Sequence, residues 1–91
     1  MADRVDEPIT VTVRFFAAAR AAAGVQEEKL SIPAPATVAD VLASVVARHG
    51  DGLGDVLRRC SYLLNETAVR GAGTTVPAAA VLDVLPPFAG G

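Results

Sequence analysis

Between residues 37 and 50 the apolar side chains recur with the period of an α-helix. They occupy positions i, i+3, i+4, i+7 and i+8, and so share one helix face: Val38, Val41, Leu42, Val45 and Val46. Thr37 is a natural N-cap, and Asp40 lies three residues later, near the position that completes a capping box. Gly50 suits the left-handed position that closes a helix. The pattern predicts an amphipathic helix that must pack on an apolar surface elsewhere in the chain.

Three segments with strand character are candidates for that surface. Residues 9–16 alternate between a polar face and an apolar face that is formed by Ile9, Val11, Val13 and Phe15. Phe16 stands out because it falls on the polar face. Residues 81–85 form a strongly apolar last strand that is broken only by Asp83. Residues 25–32 predict a further strand, polar in its middle as an exposed edge strand would be.

The rest of the chain predicts shorter elements. Residues 17–23 are rich in alanine and favour a short helix, too poor in large apolar residues to be a core element. Residues 53–59 favour another helical turn. Residues 61–65 and 67–69 are expected to form a short pair of strands, and residues 70–76 a Gly- and Thr-rich turn.

This order of elements indicates an α+β fold with one main amphipathic helix on one face of a mixed sheet. It is the order of a β-grasp, the ubiquitin-like fold, in which the first and last strands lie side by side at the centre of the sheet. That position would account for the apolar character of both strands. We therefore predict a flexible leader over residues 1–8, a β-grasp domain over 9–85 and an extended, functional C-terminal tail over 86–91.

Composition argues against several kinds of partner. The chain has 91 residues, enough for one domain with a modest core. A net charge of −2 and a pI of about 5.1 argue against nucleic acid, and the basic pair Arg58 and Arg59 is interpreted as a solvated helix end. No apolar run reaches the roughly 18–20 residues of a membrane helix, and the N-terminus does not resemble a signal peptide. The single cysteine, Cys60, fits a reduced, cytoplasmic compartment.

The sequence contains no recognisable catalytic constellation. His49 is expected to compensate the helix dipole, and Cys60 to be a small buried hydrophobe, since no third residue orients them as a nucleophile and base. Glu27 and Glu28 are neighbours on a strand and point to opposite faces, which excludes a paired-carboxylate site. No Cys or His spacing suits a metal, so we expect no metal and no bound cofactor.

The chain ends in the one group that could carry chemistry, the α-carboxylate of Gly91. Gly90 and Gly91 lack a Cβ, so they can pass through a narrow channel. A partner enzyme could adenylate the carboxylate with ATP, and a sulfur donor could then convert it to a thiocarboxylate. Pro86 and Pro87 would stiffen the base of such an arm. The alternative is that the two glycines are simply a frayed end.

Three stretches of this chain resemble the small subunit of molybdopterin synthase, a sulfur carrier of molybdenum cofactor biosynthesis. Residues 13–24 are similar to its strand-to-helix signature Phe-Ala-x-x-Arg-x-x-x-Gly, with Arg20 at the arginine position. Residues 64–66, Leu-Asn-Glu, are similar to a short strand that contains Asn. Residues 84–91 resemble its terminal Pro-Pro-x-x-Gly-Gly. The resemblance spans about residues 9–91.

The resemblance implies a mechanism in which this chain is not an enzyme on its own. A ubiquitin-activating-like enzyme would use ATP to adenylate Gly91, and a sulfur-transfer protein would supply the sulfur. The tail, Pro86 to Gly91 with Phe88 and Ala89 between, would then thread into the large subunit of molybdopterin synthase. There the sulfur would pass to cyclic pyranopterin monophosphate. In the family the two subunits form a heterotetramer, and the catalytic side chains belong to the large subunit.

Three residues are candidates for binding the partner. Phe16 and, by alternation, Leu85 would share the sheet face that lies away from the helix, where neighbouring apolar side chains indicate a binding patch. Arg20 joins them as the arginine of the family signature. The competing interpretation is that Phe16 folds under the alanine-rich turn as a satellite of the core.

The chain departs from the family pattern at two places, and other functions stay open. An acidic Asp-Gly-Asp-Glu turn is common before the last strand, whereas residues 76–80 read Val-Pro-Ala-Ala-Ala, and Ala21 stands where Glu is usual. The alternatives are a carrier for cysteine or thiamine biosynthesis, a modifier that is conjugated to proteins, and an interaction domain with an inert terminus.

Overall fold

The fold is described for residues 7–87 of a computed structural model. Its seven strands are β1 (Pro8–Phe15), β2 (Glu27–Pro33), β3 (Ala36–Thr37), β4 (Ser61–Leu64), β5 (Thr67–Ala68), β6 (Thr75–Val76) and β7 (Ala80–Leu85). Its three helices are α1 (Ala17–Ala23), α2 (Val38–His49) and α3 (Asp51–Leu57). In the described range no helix is both long and apolar enough to span a membrane.

The main sheet has the strand order β2-β1-β7-β4-β5, which confirms the predicted β-grasp. Strands β1 and β7 are parallel neighbours, in register from Val11 opposite Ala80 to Phe15 opposite Val84. The pairs β1–β2, β4–β7 and β4–β5 are antiparallel, so the sheet is mixed. β7 therefore has a hydrogen-bonded strand on each side, and β2 is an edge strand, as predicted.

One face of the sheet packs against the helices and forms the core. The alternation predicted for β1 is confirmed, because Val11, Val13 and Phe15 are buried. Leu82 and Val84 of β7 lie on the same side of the sheet and are also inaccessible to solvent. Burial of a large aliphatic or aromatic side chain stabilises a fold by about 1.5–3 kcal/mol, so these residues contribute much of the stability.

The capping of α2 is as the sequence predicts. The Asp40 backbone N–H donates to the Thr37 hydroxyl at 3.2 Å, and the Thr37 N–H donates to the Asp40 carboxylate at 2.9 Å, which completes a capping box. Val38, Val41 and Val45 are buried against the sheet. The predicted closing conformation is wrong in detail, because the φ of Gly50 is +98° but its ψ is 178°. This extended, positive-φ conformation is almost restricted to glycine, and it leads the chain straight into α3.

The structure corrects the predictions for the two shorter helices. α1 does contribute to the core, since Ala19 and Ala23 are buried. Their small side chains let the helix approach the neighbouring elements closely. α3 begins at Asp51 rather than at residue 53 and is a complete helix. Leu53 and Leu57 hold it in the core. Residues 58 and 59 follow it as an exposed turn, as expected of a solvated helix end.

Several strand boundaries and one turn also differ from the predictions. β1 begins at Pro8, one residue into the predicted leader, and residues 1–6 lie outside the described range. β2 is displaced towards the C-terminus by one or two residues. The predicted turn at 70–76 ends in β6, which pairs with β3 to form a second, two-stranded sheet. Tertiary pairing of such short strands leaves no periodic signal in the sequence.

Candidate functional site

An apolar groove lies where β7 leaves the sheet, and we call it the tail-root groove. It has a volume of about 500 Å³ and is lined by Phe16, Ala17, Ala18, Ser61, Leu85, Pro86 and Pro87. Three elements meet here because the strand register aligns their ends. Phe15 lies opposite Val84, and Ser61 lies opposite Leu85, so the start of α1, the end of β7 and the start of β4 share one edge.

Phe16 is placed at this groove by the junction between β1 and α1. The prediction that it belongs to the strand is wrong, because it is the N-cap residue of α1. Its N–H still donates to the carbonyl of Val84 at 3.2 Å, while its own carbonyl accepts from Ala19 and Arg20. The ring is 38% exposed, a large fraction for a phenylalanine, and is available to a partner.

The structure brings three further predicted site residues to the same place. Leu85 and Pro86 are half-buried in the groove wall, and Pro87 is exposed. Phe88, Ala89, Gly90 and Gly91, the other predicted residues of the tail, lie outside the described range.

Arg20 does not line the groove. It is exposed on α1, one helical turn beyond Ala17, and its backbone carbonyl accepts the N–H of Gly24 at 2.9 Å. Gly24 has φ +81° and ψ 2°, a left-handed cap that closes the helix. Residues three apart on a helix are surface neighbours, so Arg20 lies next to the groove-lining Ala17 on the surface of α1.

An ion pair beside the groove was not recognised in the sequence. Arg14 donates to the Asp83 carboxylate through Nε at 2.6 Å and through Nη2 at 3.0 Å. Asp83 is the one buried charged residue in the described part of the chain, and it raises the pKa of the Arg14 guanidinium through its hydrogen bonds and its charge. The sequence did contain a signal for this ion pair, because an Arg lies on the polar face of the first strand and an Asp interrupts the otherwise apolar last strand.

Asn65 has a structural role that explains the short Asn-containing strand. Its N–H donates to the Val81 carbonyl at 2.8 Å, and its side-chain oxygen accepts the Val81 N–H at 2.9 Å. The side chain therefore satisfies a backbone donor near the start of β7. Both Asn65 and Glu66 have positive φ, 49° and 70°, and form the tight turn between β4 and β5.

The residues that could have been nucleophiles or bases are engaged elsewhere. His49 Nε2 lies 2.9 Å from a Glu28 carboxylate oxygen, and its ring packs edge-on against Phe15, with 6.1 Å between the ring centroids. This contact was missed, because the sequence predicted only dipole compensation. The Cys60 thiol donates to the Val56 carbonyl at 3.2 Å, and burial raises its pKa, so it is a poor nucleophile. Within residues 7–87 no group of His, Cys, Asp and Glu could hold a metal ion.

Comparison with known proteins identifies the family. The sequence model of the ThiS family matches residues 13–91. The molybdopterin synthase sulfur carrier subunit of Chlamydomonas reinhardtii is 30% identical over 82 residues, which cover 89% of this chain and 98% of that protein.

Solved structures give the same result. SAMP1 from Haloferax volcanii superposes with a TM-score of 0.80 at 26% identity, covering 90% of this chain and 99% of that one. Subunits 1 and 2 of the molybdopterin-converting factor from Helicobacter pylori 26695 were solved as a complex. A chain of that complex superposes with a TM-score of 0.62 at 28% identity, covering 91% of this chain and all of that one. These likenesses confirm the resemblance found in the sequence, and the chain belongs to the ThiS family.

Proposed function

We propose that this chain is the sulfur carrier subunit of molybdopterin synthase, and that the carboxylate of Gly91 carries the sulfur. The observation that supports this best is the path of β7, which runs from the centre of the sheet through Leu85 into Pro86 and Pro87 at the tail-root groove. Pro86 and Pro87 have a fixed φ and no backbone N–H, so the hydrogen-bonded ladder of β7 does not continue through them. The named function of the Chlamydomonas relative supports the choice of pathway.

The proposed reaction begins with activation of the carboxylate. One Gly91 oxygen attacks the α-phosphorus of ATP in a ubiquitin-activating-like enzyme, and pyrophosphate leaves. A persulfide on a sulfur-transfer protein then displaces AMP and forms an acyl disulfide. A thiol cleaves that disulfide, is itself oxidised to a new disulfide, and leaves the thiocarboxylate on Gly91. No side chain of residues 7–87 takes part in these bond changes, so the carrier is not an enzyme on its own.

The second half of the reaction takes place in the partner. The thiocarboxylate tail enters the large subunit of molybdopterin synthase, and its sulfur forms a C–S bond to a side-chain carbon of cyclic pyranopterin monophosphate. The C–O bond at that carbon breaks, and its oxygen leaves with the phosphate at one carbon and as water at the other. Water then cleaves the thioester and restores the Gly91 carboxylate. A dithiolene has two sulfurs, so each product consumes two thiocarboxylates. The catalytic side chains belong to the large subunit, in a heterotetramer that acts in the cytoplasm; the Helicobacter complex supports a partner of this kind.

The tail-root groove supplies the affinity in this proposal. Phe16 and Leu85 receive a side chain of the large subunit in the groove, and Arg20 contacts that subunit from the neighbouring surface of α1. Aromatic residues in such patches often dominate binding, so Phe16→Ala is expected to weaken the complex roughly tenfold or more and to leave the fold intact. Val25→Ala is the matched control, because Val25 is also 38% exposed but lies outside the groove. Equal affinities of the two variants in a titration would reject this role of Phe16.

A reconstitution tests the proposal directly. The protein is converted chemically to its Gly91 thiocarboxylate and mixed with a molybdopterin synthase large subunit and cyclic pyranopterin monophosphate. Molybdopterin is then measured as its oxidised, fluorescent derivative. Product that disappears when Gly91 is removed is the expected result. No product from a confirmed thiocarboxylate with an active large subunit would favour a carrier for cysteine or thiamine synthesis.

A second candidate function is conjugation to proteins, which the likeness to SAMP1, a small archaeal modifier protein, favours. In that case the adenylated Gly91 would form isopeptide bonds with lysines. Immunoblots of cells that express a tagged chain distinguish the two. Conjugates of higher mass that depend on Gly91 would favour the modifier, whereas a carrier alone gives only the free form.

A further inference from the structure

The Arg14–Asp83 pair lies on the face of the sheet that the helices leave open. Its two residues are aligned in the β1–β7 ladder, and Leu63 of β4 lies on the other side of Asp83. The Asp83 side chain is 8% exposed, whereas that of Arg14 is 42% exposed. The Arg14 guanidinium therefore shields the Asp83 carboxylate from solvent, on a face of the sheet that is not covered by a helix.

The same guanidinium also lies near Phe16, which lines the tail-root groove. Its Cζ atom lies 6.0 Å from the centre of the Phe16 ring, at the outer limit of a cation–π contact. Two hydrogen bonds to one carboxylate fix the plane and the position of an arginine far better than one bond does. Asp83 thus holds Arg14, and Arg14 in turn flanks Phe16.

We propose that Asp83 and Arg14 are positioning residues that hold the Phe16 ring in its groove-lining orientation before a partner binds. The inference rests on the proposed function only for the identity of that partner, the large subunit. Ordering a side chain on binding lowers affinity, so a ring that is already ordered binds more tightly. The competing account is that the pair only neutralises a charge in the sheet.

The first test uses the free protein and needs no partner. Asp83→Asn keeps the shape of the side chain but removes its charge and one acceptor. NMR signals of the Phe16 ring and of the Arg14 Nε–H are expected to move and broaden. Glu28→Gln is the matched control, since it removes the charge from the partly buried contact to His49 at 2.9 Å on the helix side of the sheet. That variant should affect Phe15, which His49 contacts, and leave Phe16 unchanged.

The second test is a double-mutant cycle on affinity for the large subunit. Asp83→Asn is expected to weaken binding about two- to fivefold, the range of an exposed cation–π contact. In a Phe16→Leu background, which has no ring to position, the same change should have no further effect. Glu28→Gln should lower stability without changing affinity.

The outcomes separate the inference from the proposed function. Unmoved Phe16 signals in Asp83→Asn, or an equal loss of affinity with and without the ring, would overturn the positioning role. Absence of binding by the wild-type chain would overturn the choice of partner, while the NMR result would still decide whether Asp83 and Arg14 order the ring.

Discussion

Replacing Ala79 by glycine should make this protein more stable, although it removes a side-chain carbon. Ala79 lies in the turn before β7 with a φ of +60°, and its side chain is exposed. The left-handed conformation costs an L-residue roughly 1–2 kcal/mol, and glycine adds roughly 0.5–1 kcal/mol of unfolded-state entropy. The middle of each range leaves a net gain of roughly 0.75 kcal/mol. For a domain of this size that gain corresponds to a rise in Tm of roughly 3–6 °C.

The measurement is the free energy of unfolding from urea titrations, supported by thermal melting. Ala78→Gly is the control, because Ala78 is the exposed neighbour and its φ is negative. At Ala78 a glycine relieves no strain and only increases the entropy of the unfolded chain, so the free energy of unfolding should fall by roughly 0.5–1 kcal/mol. The two substitutions should therefore change the free energy of unfolding in opposite directions. Equal losses would refute the reasoning, because Ala79 would then not be strained.

Other changes have equally definite outcomes. Thr37→Ala removes the capping box of α2 and should cost about 1 kcal/mol in urea unfolding; a change under a few tenths would contradict the cap geometry. Leu82→Ala opens a cavity at a fully buried site and should cost about 2–5 kcal/mol, which native-state hydrogen exchange across β7 would report. Burial raises the pKa of Tyr62 to about 12. Since the unfolded phenol titrates near 10, the folded state holds its proton more tightly, and this contribution to stability is present below pH 10 and is lost between pH 10 and about 12. A Tyr62 absorbance titration with its midpoint near 10 would contradict this.

Patterns that depend on neighbouring residues were predicted well. The alternation in β1 and the helical spacing in α2 gave the correct buried faces, because each element packs against one surface only. The cap formed by Thr37 and Asp40 is likewise local. The central position of β7 was predicted from the β-grasp order of elements, and the apolar character of residues 81–85 agrees with it.

Features that depend on contacts between residues far apart in the sequence could not be predicted from local patterns. Gly52 and Gly54 lower the helix propensity of α3, and burial of Leu53 overrides that preference. Phe16 was assigned to the strand because alternation does not reveal where a strand ends. The φ of +51° at Ala17 turns the chain there.

The site was predicted in its parts but not in its arrangement. Phe16 and Leu85 were expected on a common face, and the structure places both at the tail-root groove. The contribution of Ser61 depends on the β4–β7 register, which no local pattern reveals. The link from Asp83 through Arg14 to Phe16 requires the parallel pairing of β1 and β7, so it became visible only in three dimensions.

The position of β7 also determines how the domain responds to force. A pull on Pro87 is transmitted along the axis of β7, at right angles to the antiparallel hydrogen bonds that join it to β4. The parallel β1 holds it on the other side. Such a load shears all the rungs of both ladders at once, whereas a pull on an edge strand from its side would open them one after another. The domain is therefore expected to resist a load that is applied through Pro87.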